Sequence, residues 1–194
     1  MRRTTIAAIA AAGMLFAATA CTDDEITTAP TKTGAAEKPA STEPGEALEE
    51  EPSKATVAKV GDTITLKGQE DGEQVAAILK KVVDPAQPKD EFFTPADGNR
   101  WIAAQFELTN TGKKPYADSP SNGAQVADAD GQRFQSTFAD TKAGPSMTSD
   151  AKVPPGEKVL GWVTFEVPKN SKIVTVQFGL NSGFADQTGQ WTVS

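Results

Sequence analysis

The 194-residue sequence contains no histidine, one cysteine and one tyrosine. After its first twenty residues it has no apolar run near the roughly twenty residues that a membrane-spanning helix needs. Each absence removes a class of function. Without histidine there is no Ser-His or Cys-His nucleophile pair and no imidazole to bind zinc. Carboxylate pairs remain, because glycoside hydrolysis needs two acids at a set separation. The acids here are scattered over turn-forming stretches, and the sequence predicts a protein that is not an enzyme and carries no cofactor. Basic clusters interleaved with aromatics are also missing, and a net charge of −7 disfavours nucleic acid as a partner.

The amino-terminal residues are organised differently from the rest. Arg2 and Arg3 precede an apolar run from Ile6 to Ala17, and small residues then lead to Cys21. A charged start, a short apolar stretch and a small-residue cleavage site make a secretory signal over residues 1–20. The apolar run is too short for a permanent anchor. Arg2-Arg3 also reads as a twin-arginine signal, but Thr4 and Thr5 follow where that route favours apolar residues, so the general secretory route is expected. Ala18-Thr19-Ala20-Cys21 resembles the lipobox of bacterial lipoproteins, although that family prefers Leu at the place of Ala18. The resemblance implies diacylglyceryl transfer to the Cys21 sulfur, cleavage before it, and a palmitate-type membrane anchor. The other reading is an ordinary signal cleaved after Ala20. A lone thiol closes no internal disulfide, and lipidation gives it a use. Two acyl chains hold a protein stably where one does not. The expected location is therefore the outer face of the cytoplasmic membrane, with shedding left open.

Residues 21–55 follow as a linker rich in Thr, Pro, Ala, Gly and Glu. It carries nine acids against three lysines. So little apolar surface cannot offset the entropy of ordering, and a disordered tether is expected. Residues 56–194 hold seventeen acids against fourteen basic residues, so most of the acidity belongs to the tether. That length is enough for one domain with its own core.

The domain reads as strands. Thr63–Lys67 is short and β-branched. Gln74–Asp84 is apolar and ambiguous, because Ala76, Ala77 and Leu79 suit a helix while Val75, Ile78, Val82 and Val83 favour the strand that is expected. Arg100–Asn110 alternates, with Ile102, Ala104, Phe106 and Leu108 facing one way and Trp101, Gln105, Glu107 and Thr109 the other. Asp130-Gly131 between Gln125–Ala127 and Gln132–Gln135 marks a hairpin. Glu157–Val167 places Val159, Val163, Phe165 and Val167 on one face. Lys172–Leu180 does the same for Val174, Val176, Phe178 and Leu180, and a short strand closes the chain near Gln190–Val193. Seven or more such strands predict an all-β sandwich or barrel.

Four segments narrow this further: Phe106-Glu107-Leu108-Thr109-Asn110-Thr111-Gly112-Lys113-Lys114-Pro115, Asp128-Ala129-Asp130-Gly131-Gln132, Pro155-Gly156-Glu157-Lys158 and Gly161-Trp162-Val163-Thr164-Phe165-Glu166-Val167-Pro168. In order and spacing they resemble a telokin-like, immunoglobulin-like domain of unknown function found in lipoproteins of actinobacteria and other Gram-positive bacteria. That domain is similar to the secreted immunoprotective antigen of mycobacteria. The resemblance spans about residues 57–194 and implies an immunoglobulin-like antiparallel β-sandwich at the cell surface. It transfers no catalytic residue.

Candidate binding residues are Phe92, Phe93, Trp101, Tyr116 and Trp162. Phe92 and Phe93 sit among Pro85, Pro88 and Pro95 in a long connection, and a second connection spans Ala139–Pro155. Long loops are often functional. The commoner fate of Phe92 and Phe93 is to cap one end of the sandwich; exposed, they would anchor an extracytoplasmic protein or cell-wall ligand. Trp101 and Trp162 face away from the expected core, where they form an outer aromatic patch or pack beneath a loop. Tyr116 has the same two readings. Asp128-Ala129-Asp130-Gly131 begins like a calcium loop, but Ala139 stands where the closing Glu is needed, so a plain turn is expected, with Asp118 and Asp140 the other acids able to approach. A structural role through strand-edge pairing is the second functional reading.

Overall fold

The computed structural model describes residues 57–193. The expected signal segment, Cys21 and the linker lie outside the described residues. Among those residues no helix is long and apolar enough to cross a membrane.

The described residues form eleven strands in chain order: β1 (Val57–Lys59), β2 (Thr63–Lys67), β3 (Gln74–Ala86), β4 (Asn99–Asn110), β5 (Tyr116–Asp118), β6 (Ala124–Asp128), β7 (Arg133–Thr137), β8 (Ala151–Val153), β9 (Lys158–Pro168), β10 (Ile173–Gly179) and β11 (Thr188–Thr192). They pair in the order β1-β11-β10-β6-β7-β9-β4-β3-β2, with β5 and β8 forming a separate ribbon. Every pairing is antiparallel except β1 with β11. β7 bonds to β6 along one edge and to β9 along the other, so it carries the chain of pairing from one layer to the next. The fold is the immunoglobulin-like antiparallel β-sandwich that the sequence predicts.

Period-two alternation places the core between the layers. On β4, Ile102, Ala104, Phe106 and Leu108 are fully buried, and β9 adds Val163, Phe165 and Val167. The opposite layer supplies Val126, Val176, Phe178 and Trp191. Phe106 lies 5.3 Å from Phe178 and meets Trp191 edge-on at 6.0 Å, ring centre to ring centre. The Trp191 indole nitrogen donates to the Asp62 carbonyl at 3.0 Å, so its polar edge is satisfied inside the core.

One expectation about the core holds against its alternative, and one changes. Gln74–Val83 is strand along its whole length, because Val75, Ala77 and Leu79 alternate inward while the backbone bonds to β2 and β4. Val174 does not join the core. A register shift between Ile173 and Thr175 turns Ile173 inward and leaves Val174 half-buried.

Candidate functional site

The outer face of the β3-β4-β9 layer is covered by chain. Trp101 and Ala103 of β4, Ala86 at the end of β3 and Trp162 of β9 form a second, smaller apolar cluster. Val83, Ala139 and Ala143 pack against it. The two long connections make this cover. Lys89 N–H donates to the Asp140 carbonyl at 3.1 Å and Lys142 N–H to the Gln87 carbonyl at 2.9 Å, so the loops pair with each other. The second loop then runs along β9 beyond the end of β7, where Met147 N–H donates to the Trp162 carbonyl at 2.7 Å and Trp162 N–H to the Pro145 carbonyl at 3.0 Å. Gly161 permits this approach, since a Cβ there would lie 2.5 Å from Met147 Cα. Met147 itself is buried in the main core.

Polar side chains fix the base of the first loop. The Glu166 carboxylate accepts from Asn99 Nδ2 at 2.8 Å, Trp101 Nε1 at 3.0 Å and Ala96 N–H at 3.1 Å. Those donors, Asn99 foremost, hold its carboxyl below the usual glutamate range. Arg100 grips both Asp84 oxygens, at 2.6 and 2.9 Å, and donates to the Pro168 and Ser171 carbonyls.

Between the loops a cleft of about 450 Å³ opens to solvent. Phe93 and Phe138 line it, and Trp162, Met147 and Val163 supply its apolar wall. Phe92, Phe93 and Phe138 are 91%, 70% and 90% exposed. Asp90 sets the first two, its Oδ1 accepting from Phe92 N–H at 2.9 Å and Phe93 N–H at 3.0 Å. At the other rim, Ser146 Oγ donates to Asp140 Oδ1 at 2.5 Å and Lys89 Nζ lies 3.5 Å from Oδ2. The Ser146 hydrogen bond, and after it the lysine charge, lower the Asp140 carboxyl below its ordinary value.

The expected site residues therefore separate. Phe92 and Phe93 do not cap the sandwich; they stand in solvent. Trp101 and Trp162 are only 3% and 6% exposed, so no outer aromatic patch forms from them and the packing-beneath-a-loop reading holds. Tyr116, 8% exposed, joins the main core. Burial pushes its hydroxyl well above the usual tyrosine range, and it donates to Asp118 Oδ2 at 3.2 Å. Asp118 also accepts from Ser182 N–H and Oγ, which holds Asn181 and Ser182 at positive φ. Ala139–Pro155 is not structureless either, because it contains β8 and the run along β9.

Phe138 is the residue that sequence reading missed. Phe134, Ser136 and Phe138 recur at period two, and Phe134 packs against the core, so alternation points Phe138 inward. β7 ends at Thr137, and the chain turns before that pattern is completed.

Asp128 caps its own turn, its Oδ1 accepting from Asp130 N–H at 3.1 Å and Gln132 N–H at 2.8 Å, with Gly131 at φ 85°. Among the described residues no three His, Cys, Asp or Glu side chains come together as a metal ion requires. Asp118 and Asp140 are each engaged elsewhere, as described above.

These elements define an all-β sandwich with one outer face roofed by loops. The chain belongs to the DUF4352 family, a domain of unknown function, whose pattern it matches over residues 59–188. Its fold is similar to that of MPT63, a secreted protein from Mycobacterium tuberculosis, at 17% identity and a TM-score of 0.51, covering 73% of this chain and 100% of that one. It is also similar to the ycdA protein of Bacillus subtilis, described as a candidate lipoprotein, at 15% identity and a TM-score of 0.49, covering 65% of this chain and 39% of that one. A third similar structure is the Bacillus subtilis yjhA protein, at 14% identity and a TM-score of 0.49, covering 71% and 100%. Among curated proteins nothing matches significantly.

Proposed function

We propose that this protein is a lipid-anchored extracytoplasmic binding module. On this reading Cys21 holds it to the outer face of the cytoplasmic membrane, and the phenylalanine-rimmed cleft captures a ligand without catalysing a reaction. The observation that carries the proposal is the exposure of Phe92, Phe93 and Phe138 on one cover that is otherwise tightly bonded. Aromatic rings left in water gain nothing for folding, whereas rings held on a firm frame are suited to anchor a partner. The secreted status given for the mycobacterial neighbour and the lipobox-like Ala18-Thr19-Ala20-Cys21 support the location. Absence of histidine from the whole chain supports a non-catalytic role.

Strand-edge assembly has less support. The free ends of the pairing order are β1, of three residues, and β2, of five. Lys67 N–H at the end of β2 already donates to Gln187 Oε1 at 2.8 Å. The remaining edge, β3 beyond Ile78, starts with the exposed Lys80 and Lys81 and carries register shifts in its pairing with β4, features that discourage strand addition.

Two experiments test the reading. Cys21→Ser should move the protein from the membrane fraction to the medium, and its retention on membranes would contradict the anchor. Replacing Phe92, Phe93 and Phe138 together by Ser should abolish capture of isolated cell envelopes by the full chain while leaving its unfolding transition in place. Undiminished capture would contradict the site.

A further inference from the structure

The geometry points to a neutral glycan as the occupant of the outer-face cleft, an inference that rests on the binding-module reading. Three observations select that chemistry. The first is the apolar pair, because Phe93 and Phe138 line the cleft while largely exposed and offer flat faces to a ligand. A pyranose ring presents a face of C–H groups that stacks on an aromatic ring and a rim of hydroxyls that does not.

The second is the hydrogen-bonding character of the lining. Ser121, Thr137, Ser146, Ser149 and Thr164 all contribute to it. A hydroxyl both donates and accepts, so this surface matches ligand hydroxyls in either direction. The Ser146 and Thr164 protons are used, on Asp140 and on the Ala139 carbonyl, which fixes both side chains and turns their remaining lone pairs toward acceptance. Asp90 and Asp140 add further acceptor oxygens at the rim, and a carboxylate is a strong acceptor for sugar hydroxyls.

The third is charge. Asp140 is matched by Lys89 at 3.5 Å, and Asp90 spends one oxygen on two backbone N–H groups. No lysine or arginine lines the cleft, so an anionic polymer or phospholipid headgroup would meet the Asp90 carboxylate with nothing to compensate it. A cationic peptide is less well served than by an acidic cluster, because Asp140 already has Lys89 beside it and Asp90 alone remains. A neutral, polyhydroxylated ligand with apolar faces fits all three features. At about 450 Å³ the cleft falls in the size range of sites for small ligands, enough for a short saccharide segment rather than a protein surface.

The test uses the full chain, purified in detergent, against an array of neutral, amine-bearing and anionic oligosaccharides together with oligolysine. The strongest neutral oligosaccharide is then titrated calorimetrically. Binding to neutral oligosaccharides is expected, weakened at least tenfold by Phe93→Ala with Phe138→Ala and unchanged by Phe184→Ala, whose ring is 77% exposed and lies outside the cleft lining. It should also be unchanged when salt is raised from low to high. Binding only to anionic glycans or oligolysine, with loss of affinity in salt, would overturn the glycan assignment, as would neutral binding that survives the double variant. Envelope capture measured on the same variants separates the two readings. If capture needs the phenylalanines but no neutral glycan binds, the module stands and the glycan fails; if neither needs them, both fail. Both side chains are exposed, and a melting curve matching the parent confirms that the double variant is folded.

Discussion

The two apolar clusters of this domain are built by opposite means. The inner core joins side chains from both layers through regular alternation: Phe106, Phe165, Phe178 and Trp191 are fully buried with almost no polar atom among them. The outer cluster is small, roofed by irregular chain, and held as much by Glu166, Arg100 and loop-to-loop backbone bonds as by Trp101 and Trp162. The inner core reaches the cleft only through Met147 and Val163, both buried. The outer cluster is flanked by a cleft and by phenylalanines in water. The core and the proposed binding surface thus lie largely on opposite sides of one sheet, and substitutions should separate stability from binding.

The largest effect should come from the inner core. Phe106→Ala removes the ring between Phe178 and Trp191 and should lower global stability by about 3–5 kcal/mol. Denaturant unfolding checks this, and a cost like that of a surface site would break the comparison. A smaller and local effect is expected in the cover. A Cβ at Gly144, where φ is +154°, would lie 2.5 Å from Trp162 Nε1. Gly144→Ala should therefore cost about 1–3 kcal/mol, the range for overpacking. It should loosen the loop, seen as greater quenching of tryptophan fluorescence before the global transition.

Acid sharpens the contrast further. The folded-state carboxyl of Glu166 lies below its unfolded value, so the clamp contributes stability above the ordinary glutamate range and loses it as pH falls through the folded value. Protection from hydrogen exchange near Ala96–Trp101, taken relative to the intrinsic rate at each pH, should fall on acidification before it falls at Phe106 of β4, and Glu166→Gln should remove much of that pH dependence. The smallest effect concerns Thr141, whose buried hydroxyl has no hydrogen-bond partner. Thr141→Val keeps the shape and removes an unsatisfied group, so melting should be unchanged or raised by the equivalent of up to about 1 kcal/mol.

The inner core was legible because its information is local. Period two on β4 and β9 gives the buried face directly, and Asp130-Gly131 marks the hairpin without reference to anything distant. The cover was half legible. The outward placement of Trp101 and Trp162 follows from the same alternation, but what lies over them depends on contacts between loops some fifty residues apart, such as Lys89 with Asp140. Nothing in the composition of Ala139–Pro155 reveals that it runs along β9. β1, β5 and β8, each of three residues, are too short to show a period and exist because a partner strand is nearby. Phe138 was hidden for the reverse reason, since a local pattern pointed inward and the chain turned away from it.

The most direct measurement of the central claim is hydrogen exchange of the full chain with and without isolated cell envelopes. The account predicts that envelopes protect Asp90–Phe93 and the stretch from Thr137 to Ser149, and leave the β1 and β2 edges unchanged. Protection concentrated on those edges, or none at the two phenylalanine loops, would contradict it.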